Sequence, residues 1–339
     1  MISESRTIWW DNGIKTIDQT RLPAEFVVIT IRSIKELVNA ITSLKIRGAP
    51  ALGAAGGYGI ALAAMRSKFQ ERDGVLHEME IAAEMIKNSR PTAVNLSWGV
   101  DRVLRAAQEG EIADEVREIA LREAERIAEE DLIINKMIGR HGAKLLNDGD
   151  SVLTHCNAGR LACVGWGTAL GVIRQAVMDG KEIHVYACET RPLNQGSRLT
   201  SWELMEDNID VTLVCDSASG ILMRRGMIDS VIVGADRITR DAVFNKIGTY
   251  THAVLAKAHG IPFYVAAPLS TFDASHDESE IVIEERDGDE LRRLGVTRLA
   301  PDGVKVYNPA FDATPIDLVS AMITEKGVFR QPLMPPGIL

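Results

Sequence analysis

Hydrophobic residues in the first 145 positions mostly recur at the spacing of an α-helix. Ile34, Leu37 and Ile41 fall on one face of a helix that begins after Ser33. Short alternating runs within residues 8–32 instead predict a small β-element at the N-terminus. Further helices are predicted over residues 52–65, 78–88, 94–107 and 111–137.

Four glycines lie inside the helix that is predicted after Pro50. Each glycine inside a helix costs about 1 kcal/mol relative to alanine, so another backbone is expected to pack closely against this helix. A phosphate-binding glycine loop is the alternative. The chain has no G-x-G-x-x-G after a predicted strand and no G-K-[ST], which argues against a nucleotide loop. The glycines are Gly53, Gly56, Gly57 and Gly59.

The pattern changes near Gly149, where apolar runs of strand length begin to alternate with helices. This rhythm is typical of βαβ units and predicts a parallel sheet that is covered on both faces. A closing helix is predicted over residues 317–325. The sequence thus predicts an α/β protein with a mainly helical domain over residues 1–145 and a sheet domain over residues 146–339. The predicted strands are residues 152–154, 183–187, 211–214, 230–233 and 263–266.

The first of these strands ends at a polar elbow, residues 155–159, and a small-residue pattern predicts a helix from Leu161. Cys156 would then lie just before a helix N-terminus, where the dipole and free amides favour an anion and lower the pKa of a thiol. The alternative is a buried cysteine that acts as a small apolar side chain. The elbow alone leaves these two interpretations balanced.

Polar or reactive residues follow four of the predicted strands. The carboxyl ends of parallel strands meet at one edge of a sheet, where ligands bind, so these residues are expected to converge. Burial at the end of an apolar strand would raise the pKa of Asp236 and favour a general acid, whereas Arg237 could instead hold it ionised. The residues at the four strand ends are His155 and Cys156, then Cys188, Glu189 and Arg191, then Cys215 and Asp216, then Asp236 and Arg237.

A metal site and a cysteine–histidine pair are two further hypotheses for the same edge. Cysteines at three strand ends together with His155 could ligate zinc, but none has the close spacing of a structural zinc site and no H-E-x-x-H occurs. No metal is therefore expected. His155 and Cys156 are adjacent, so on a strand their side chains point in opposite directions. A histidine hydrogen-bonded within the sheet edge is the preferred interpretation.

Composition and charge narrow the class of protein. The 339 residues are 46% hydrophobic and 25% charged, as in an ordinary globular protein. A net charge of −9 argues against a nucleic-acid binder. Residues 49–65 are too rich in glycine and alanine to predict a membrane span, and no targeting segment is recognised. Four cysteines without a C-x-x-C pair predict free thiols in a reducing compartment such as the cytoplasm.

Three basic residues, Arg47, Arg90 and Lys246, lie beside predicted turns or helix ends. A surface role is the simpler interpretation for each of them alone. Together they would suit a small phosphorylated substrate, because arginine binds phosphate through two hydrogen bonds and lysine binds it as a point charge. The chain has neither a dinucleotide fingerprint nor a set of metal ligands, so no cofactor is expected.

Several phrases of the chain resemble those of the methylthioribose-1-phosphate isomerases of methionine salvage. Asn157-Ala158-Gly159 distinguishes these enzymes from superfamily relatives that include ribose-1,5-bisphosphate isomerase and regulatory subunits of translation initiation factor 2B. The resemblance covers nearly the whole chain, in order. The phrases are IRGAPA (46–51), RPTAVNL (90–96), THCNAG (154–159), GTALGVI (167–173), ETRPLNQGSRLTSWE (189–203), GADRI (234–238), NKIGTY (245–250), GIPFYVAAPLSTFD (260–273) and NPAFDATP (308–315).

This resemblance implies an N-terminal helical domain, a Rossmann-like C-terminal domain and a homodimer. It implies the conversion of S-methyl-5-thio-α-D-ribose 1-phosphate into S-methyl-5-thio-D-ribulose 1-phosphate, with Cys156 and Asp236 as the catalytic pair. The residues themselves gave no reason to choose Gln195 or Asn245. The substrate-binding residues implied by the resemblance are Arg47, Gly48, Ala49, Arg90, Gln195, Asn245 and Lys246.

The chain also departs from the family pattern. Arg160 follows Gly159, and Cys163 replaces the usual threonine. The stretch between Asp236 and Asn245 is one residue shorter than in typical members, which leaves loop geometry and fine specificity open. A non-catalytic regulatory protein and an isomerase of a related sugar 1-phosphate are the alternatives. The presence of both proposed catalytic residues argues against the regulatory protein.

Overall fold

The structure, a computed structural model, describes residues 5–91 and 93–330. Contacts within the chain group these residues into two units. The N-terminal unit contains the described residues up to Asn135 together with Gly159–Gly167, and the C-terminal unit contains Lys136–Ala158 and the described residues from Thr168 onward. The division differs from the predicted boundary after residue 145, and the two-domain boundary stays a prediction.

In the N-terminal unit, a small antiparallel sheet precedes a set of helices. The sheet has the order β1-β2-β3, which confirms the β-element predicted within residues 8–32. The helices follow the apolar periodicity, although α3 begins earlier and α5 ends later than predicted. The elements are β1 (Ile8–Trp10), β2 (Ile14–Ile17), β3 (Val28–Ile31), α1 (Ile34–Thr42), α2 (Ala49–Arg66), α3 (Arg72–Ser89), α4 (Val94–Ala107) and α5 (Ala113–Gly142), of which the residues from Lys136 onward belong to the C-terminal unit.

The glycines of α2 allow the close helix packing that the sequence predicted. A Cβ atom built on Gly99 of α4 would lie 2.0 Å from the carbonyl oxygen of Gly53 in α2. A Cβ on Gly56 would lie 2.5 Å from the carbonyl oxygen of Leu96. Contacts this short exclude any side chain, so the α2 and α4 backbones touch directly and offset the cost of glycine in a helix.

The C-terminal unit is built on a seven-stranded sheet with the order β15-β14-β10-β7-β4-β5-β6. Every neighbouring pair is parallel except β14 with β15. The predicted strands are confirmed to within a residue at each end. The sheet strands are β4 (Ser151–Thr154), β5 (His184–Cys188), β6 (Asp210–Val214), β7 (Ser230–Val233), β10 (Phe263–Ala266), β14 (Ala321–Thr324) and β15 (Gly327–Phe329).

The strand order of this sheet creates a topological switch. From β4 the chain first moves outward to β5 and β6, and it then returns to place β7 on the other side of β4. Ligands bind at such a reversal in doubly wound sheets, beyond the carboxyl ends of the two central strands. The remaining elements are α6 (Ala169–Met178), α7 (Ser201–Glu206), α8 (Ser219–Arg224), β8 (Arg237–Ile238), β9 (Ala242–Lys246), α9 (Thr249–His259), α10 (Asp289–Arg292), β11 (Arg293–Leu294), β12 (Thr297–Arg298) and β13 (Phe311–Pro315).

The closing helix predicted over residues 317–325 is wrong. That stretch holds the end of a short 3₁₀ turn, Ile316–Leu318, followed by strand β14. All four β14 residues are buried, and β14 pairs in parallel with β10. A short, fully buried apolar run has no alternation, so periodicity alone does not separate a strand from a helix.

Two other properties bear on the class of protein. No helix among the described residues is long and apolar enough to cross a membrane. All four cysteines are free thiols, as the sequence predicted.

Candidate active site

Cys156 and Asp236 follow the two strands that flank the topological switch. The Thr154 hydroxyl donates a 2.8 Å hydrogen bond to the Ile232 carbonyl across β4 and β7. A Cβ atom on Gly234 would lie 2.6 Å from the Cβ of Ala158, so the segments that follow the two strands also lie against each other. The fold therefore brings Cys156 and Asp236 to the same ligand-binding edge of the sheet.

The helix that was predicted to start just after Cys156 does not form there. A 3₁₀ turn occupies Arg160–Ala162, and α6 begins only at Ala169. The argument that a helix dipole lowers the thiol pKa of Cys156 therefore fails, because the small-residue pattern from Leu161 belongs largely to a non-helical segment. The Cys156 backbone instead has a φ of 65°, a region that non-glycine residues adopt mainly where surrounding contacts hold them.

One set of contacts ties the Cys156 elbow to the next two strand ends. The Cys156 N–H donates to the Thr190 hydroxyl at 2.9 Å. The N–H groups of Thr190 and Arg191 donate to the two carboxylate oxygens of Asp216 at 2.7 and 2.8 Å. The ends of β4, β5 and β6 are thus joined, which confirms the predicted convergence.

A second set of contacts holds the other side of the elbow. The Thr200 hydroxyl donates to the Cys156 carbonyl at 2.7 Å. The Asn157 side-chain amide donates to Glu203 at 2.9 Å, and the buried Arg174 guanidinium donates to the other Glu203 oxygen at 2.7 Å. Sequence reasoning missed Glu203 and Arg174, and a polar or charged residue inside an apolar helical pattern was the one local signal available.

Asp236 lies between β7 and the short strand β8. Its N–H donates to the Phe244 carbonyl at 2.9 Å, which places it beside β9. Arg237 forms an ion pair with Asp273 at 3.6 Å, so the guanidinium proposed as a partner of Asp236 has another carboxylate beside it. Asp236 is half-buried, as a residue that reaches substrate at the edge of a sheet would be.

Asn245 and Lys246 lie at the end of β9, and both are buried. The Lys246 ammonium donates to the Ala310 carbonyl at 2.8 Å and lies 4.8 Å from the centre of the Phe311 ring. The Asn245 side-chain amide donates to the Thr249 hydroxyl at 3.0 Å. A buried ammonium at the end of a strand is a point charge that suits an anionic ligand.

Gln195 lies in the segment between β5 and α7 that also supplies Thr190 and Thr200. Its side-chain carbonyl oxygen is buried and accepts no hydrogen bond from the described residues. A buried acceptor left without a donor costs about 1–3 kcal/mol, so a donor on a bound ligand would be favoured there. This unpaired oxygen is a structural observation that supports the binding role implied by the resemblance.

The other four implied substrate-binding residues belong to the N-terminal unit. Gly48 immediately precedes α2 with a φ of 92°, and Ala49 is the first residue of that helix. The first turn of α2 has neither a side-chain cap nor an acidic residue. Its amides and the neighbouring Arg47 therefore provide an arrangement that favours an anion. Arg90 lies directly after the last residue of α3.

His155 is a hydrogen-bonded histidine, as predicted. Its Nε2 lies 2.8 Å from the Ile247 carbonyl, and burial lowers the pKa of its imidazole to about 4. The ligand atoms of His155, Cys188 and His252 lie within 4.8 Å of one another, so this group is the arrangement most able to hold a metal among the described residues. Burial raises the pKa of the Cys188 thiol, which opposes the thiolate that a metal requires. The absence of a metal stays a prediction.

The sequence matches the Initiation factor 2 subunit family over residues 45–331. The chain belongs to this family. One relative is a methylthioribose-1-phosphate isomerase from Thermosipho africanus, 51% identical over 96% of this chain and 94% of its own length. The solved structure of 5-methylthioribose 1-phosphate isomerase from Pyrococcus horikoshii is 43% identical, with a TM-score of 0.91, and the match covers 97% of this chain and 93% of that chain. These relatives confirm the resemblance found in the sequence.

Another solved structure that is similar to this chain is named as a translation initiation factor subunit and not as an isomerase. Translation initiation factor eIF-2B, subunit delta, from A. fulgidus is 61% identical to this chain, with a TM-score of 0.90, and the match covers 97% of this chain and 96% of that one. Close relatives therefore bear both an isomerase name and a regulatory-subunit name. The residues of the site have to separate the two interpretations for this chain.

Proposed function

We propose that this protein is an aldose–ketose isomerase that converts S-methyl-5-thio-α-D-ribose 1-phosphate into S-methyl-5-thio-D-ribulose 1-phosphate, a step of methionine salvage. The observation that carries the proposal is that Cys156 and Asp236 follow the two neighbouring central strands of the sheet, β4 and β7, at its ligand-binding edge. A regulatory subunit has no need for a thiol and a carboxyl group at one ligand-binding edge. The isomerase relatives support the same activity.

The chemistry follows from the phosphate on carbon 1 of the substrate. An ordinary aldose opens its ring to a free aldehyde, but here the anomeric oxygen is esterified, so the bond between carbon 1 and the ring oxygen has to break instead. In the proposed mechanism Asp236, protonated, donates its proton to the ring oxygen. Hydrogen then moves from carbon 2 to carbon 1, the carbon 2 hydroxyl gives up its proton as the carbonyl forms, and this proton restores the one that Asp236 donated, so the product is the ketose.

Two routes for this hydrogen transfer use Cys156 differently. In the first, the Cys156 thiolate removes the proton from carbon 2, an enol phosphate forms, and a proton is returned to carbon 1. In the second, the hydrogen moves as hydride, and Cys156 positions the substrate or stabilises charge in a pocket that excludes water. Substrate deuterated at carbon 2 separates them, because hydride transfer retains the deuterium on carbon 1 and the enol route exchanges it with solvent.

Substrate binding is assigned to the residues that the family resemblance implies. Gln195 supplies a buried acceptor for a sugar hydroxyl, and Lys246 supplies a buried positive charge at the end of β9 for the phosphate. Arg47 lies beside the uncapped first turn of α2, an arrangement that suits an anion. The proposed binding residues are Arg47, Gly48, Ala49, Arg90, Gln195, Asn245 and Lys246.

We also propose that the protein acts as a cytoplasmic homodimer with a Rossmann-like C-terminal domain, without nucleic acid, membrane, metal or cofactor. The resemblance supports the dimer and the domain, and the net charge of −9 speaks against a nucleic-acid partner. Light scattering after gel filtration tests the dimer. A monomeric mass at the concentration used for catalysis would contradict it.

A direct assay tests the proposed reaction. The purified protein is incubated with methylthioribose 1-phosphate, without metal or nucleotide, and the ketose is followed by carbon NMR. We expect turnover by the wild type and its loss in Cys156→Ser and in Asp236→Asn. Cys215→Ser is the matched control, because Cys215 is an exposed thiol at another strand end. Near-wild-type turnover by Cys156→Ser would remove the thiol from the mechanism.

The same assay addresses the regulatory alternative, which the name of the A. fulgidus structure favours. A regulatory protein would bind a sugar phosphate or nucleotide without converting it. No turnover of methylthioribose 1-phosphate by the wild type would move the proposal first to ribose 1,5-bisphosphate as substrate. Binding without conversion of either sugar would support the regulatory function.

A further inference from the structure

Two buried histidines form a hydrogen-bonded chain directly beneath the candidate site. His155 Nε2 lies 2.8 Å from the Ile247 carbonyl, and His155 Nδ1 lies 3.2 Å from His252 Nε2. His252 Nδ1 lies 3.0 Å from the Ser219 hydroxyl. This series of hydrogen bonds therefore connects the end of β4, the start of α8 and the first turns of α9.

The partners fix which nitrogen of each ring holds the proton. A carbonyl oxygen can only accept, so His155 donates from Nε2, and its Nδ1 is a bare acceptor in the neutral ring. His252 must then donate from Nε2 to His155. The bare Nδ1 of a neutral His252 in turn accepts from the Ser219 hydroxyl, which shares its proton between this nitrogen and the Asp216 carbonyl oxygen at 3.2 Å. Donation runs in one direction, from Ser219 through His252 and His155 to Ile247.

The surroundings keep both rings neutral, which this direction requires. Burial lowers the pKa of His155 to about 4 and that of His252 to about 3. The Lys246 ammonium lowers the pKa of His155 further, and the adjacent His155 ring disfavours a proton on His252. The Asp216 carboxylate, 3.7 Å from His155 Nδ1, raises the pKa of His252 but offsets the effect of burial only in part. Cys188, which lies beside both rings, is a buried thiol whose pKa is raised.

The receiving end of the chain is the loop that follows Asn245 and Lys246. The Ile247 peptide is held on both sides, because its carbonyl accepts from His155 and its N–H donates to the Ala310 carbonyl at 3.1 Å. Gly248 has a φ of 106°, and a Cβ there would lie 3.1 Å from the His155 ring. A glycine at this position allows the loop to lie directly on the imidazole.

His155 is also joined to Cys156 through the main chain, because it immediately precedes Cys156 in the sequence. His155 thus connects the Cys156 elbow with the Lys246–Gly248 loop. We propose that His252 is a positioning residue of the site, which holds His155 in its Nε2–H form and thereby fixes the Lys246–Gly248 loop relative to Cys156. The inference rests on the proposed function for its kinetic consequence, but its structural part does not.

The test compares two substitutions at the same position. Gln at position 252 can place an amide N–H near the lost Nε2–H, whereas Leu fills the space without a donor. We expect His252→Leu to raise KM about 3–10-fold, the equivalent of one neutral hydrogen bond, with kcat little changed, because a phosphate contact stabilises ground and transition states alike. His252→Gln should restore KM to within about twofold of wild type. His259→Leu, on the exposed end of α9, is the matched control.

Nitrogen-15 NMR of the histidines gives a readout that a general loss of packing would not move. His155 should be a pure Nε2–H tautomer in the wild type and in His252→Gln. It should be a mixture of tautomers in His252→Leu, because without the donor at Nδ1 the Asp216 carboxylate, 3.7 Å away, competes with the Ile247 carbonyl for the ring proton. Calorimetry with inorganic phosphate should show weaker binding by the Leu variant alone.

The NMR and calorimetry measurements do not need turnover. An inactive wild type would therefore overturn the proposed function, whereas the positioning role would still be decided by these two measurements. An unchanged His155 tautomer and unchanged phosphate affinity in His252→Leu would overturn the inference. So would stoichiometric zinc that is lost on His252 substitution, because both rings would then be ligands rather than members of a hydrogen-bonded chain.

Discussion

The buried charge cluster behind the Cys156 elbow makes a strong prediction about stability. Arg174 on α6 donates to Glu203 at 2.7 Å and to Asp207 at 2.6 Å, and the side chains of all three residues are fully buried. Arg174→Met removes the guanidinium and leaves two carboxylates facing each other without it. Methionine has a similar length and fills most of the space, so the loss of charge is the main change.

The expected magnitude follows from the burial of the cluster. Removing one partner of a buried ion pair costs about 3–5 kcal/mol, because the remaining charge has been taken out of water without compensation. In a unit of this size each kcal/mol lowers the melting temperature by about 2–4 °C, which gives a fall of roughly 6–20 °C. The Asn157 contact to Glu203 would be disturbed as well, so activity should also fall.

The assay is thermal and urea unfolding followed by circular dichroism. The single variant is compared with the triple variant Arg174→Met, Glu203→Gln, Asp207→Asn. The triple variant removes all three charges of the cluster and keeps an acceptor for Asn157. We expect it to regain much of the lost stability, because neutral groups are far cheaper to bury than charges. An Arg174→Met protein within about 1 kcal/mol of wild type, or a triple variant no more stable than the single one, would refute the reasoning.

Two further predictions concern the N-terminal unit. Gly99→Ala should destabilise it by about 1–3 kcal/mol in urea unfolding, because the new Cβ would lie 2.0 Å from the Gly53 carbonyl oxygen. Gly220→Ala is the neutral control, because its Cβ would be in ordinary van der Waals contact with the Leu255 side chain at 3.6 Å. Burial raises the pKa of Asp131 to about 7, so its ionisation should reduce stability progressively as pH rises from about 4 to about 7. Asp131→Asn should therefore be more stable relative to wild type at about pH 8 than at about pH 5, and an equal difference at both values would contradict this.

The regular elements were predictable where the apolar pattern had a clear period. Helix α4 and strands β7 and β10 have the predicted bounds, because a helical stripe or a fully apolar run bounded by polar residues is a local signal. The same reasoning failed for β14, whose short buried run fits a helix and a strand equally well. It failed again after Gly159, where small residues that would suit a packed helix instead form a 3₁₀ turn.

The residues of the candidate site likewise divide into those that a local sequence pattern predicts and those that it does not. Cys156 and Asp236 could be predicted because each follows a strand that is itself recognisable, and the rules of parallel sheets bring strand ends together. The contact between Asn157 and Glu203 spans 46 positions, and that between His155 and His252 spans 97. No local pattern encodes such pairings, since a buried histidine or glutamate is indistinguishable in sequence from an exposed one.

These long-range contacts explain how the cysteine elbow keeps its conformation. Cys156 has a positive φ, and its N–H and carbonyl are held by Thr190 and Thr200, which flank the segment that contains Gln195. Thr190 itself has a φ of 66°, which a β-branched residue adopts only when other contacts compensate. Thiol and amide are thus positioned by one strained segment. A change anywhere in that segment should alter the catalytic and the substrate-binding group together, a coupling that a helix dipole acting on Cys156 alone would not produce.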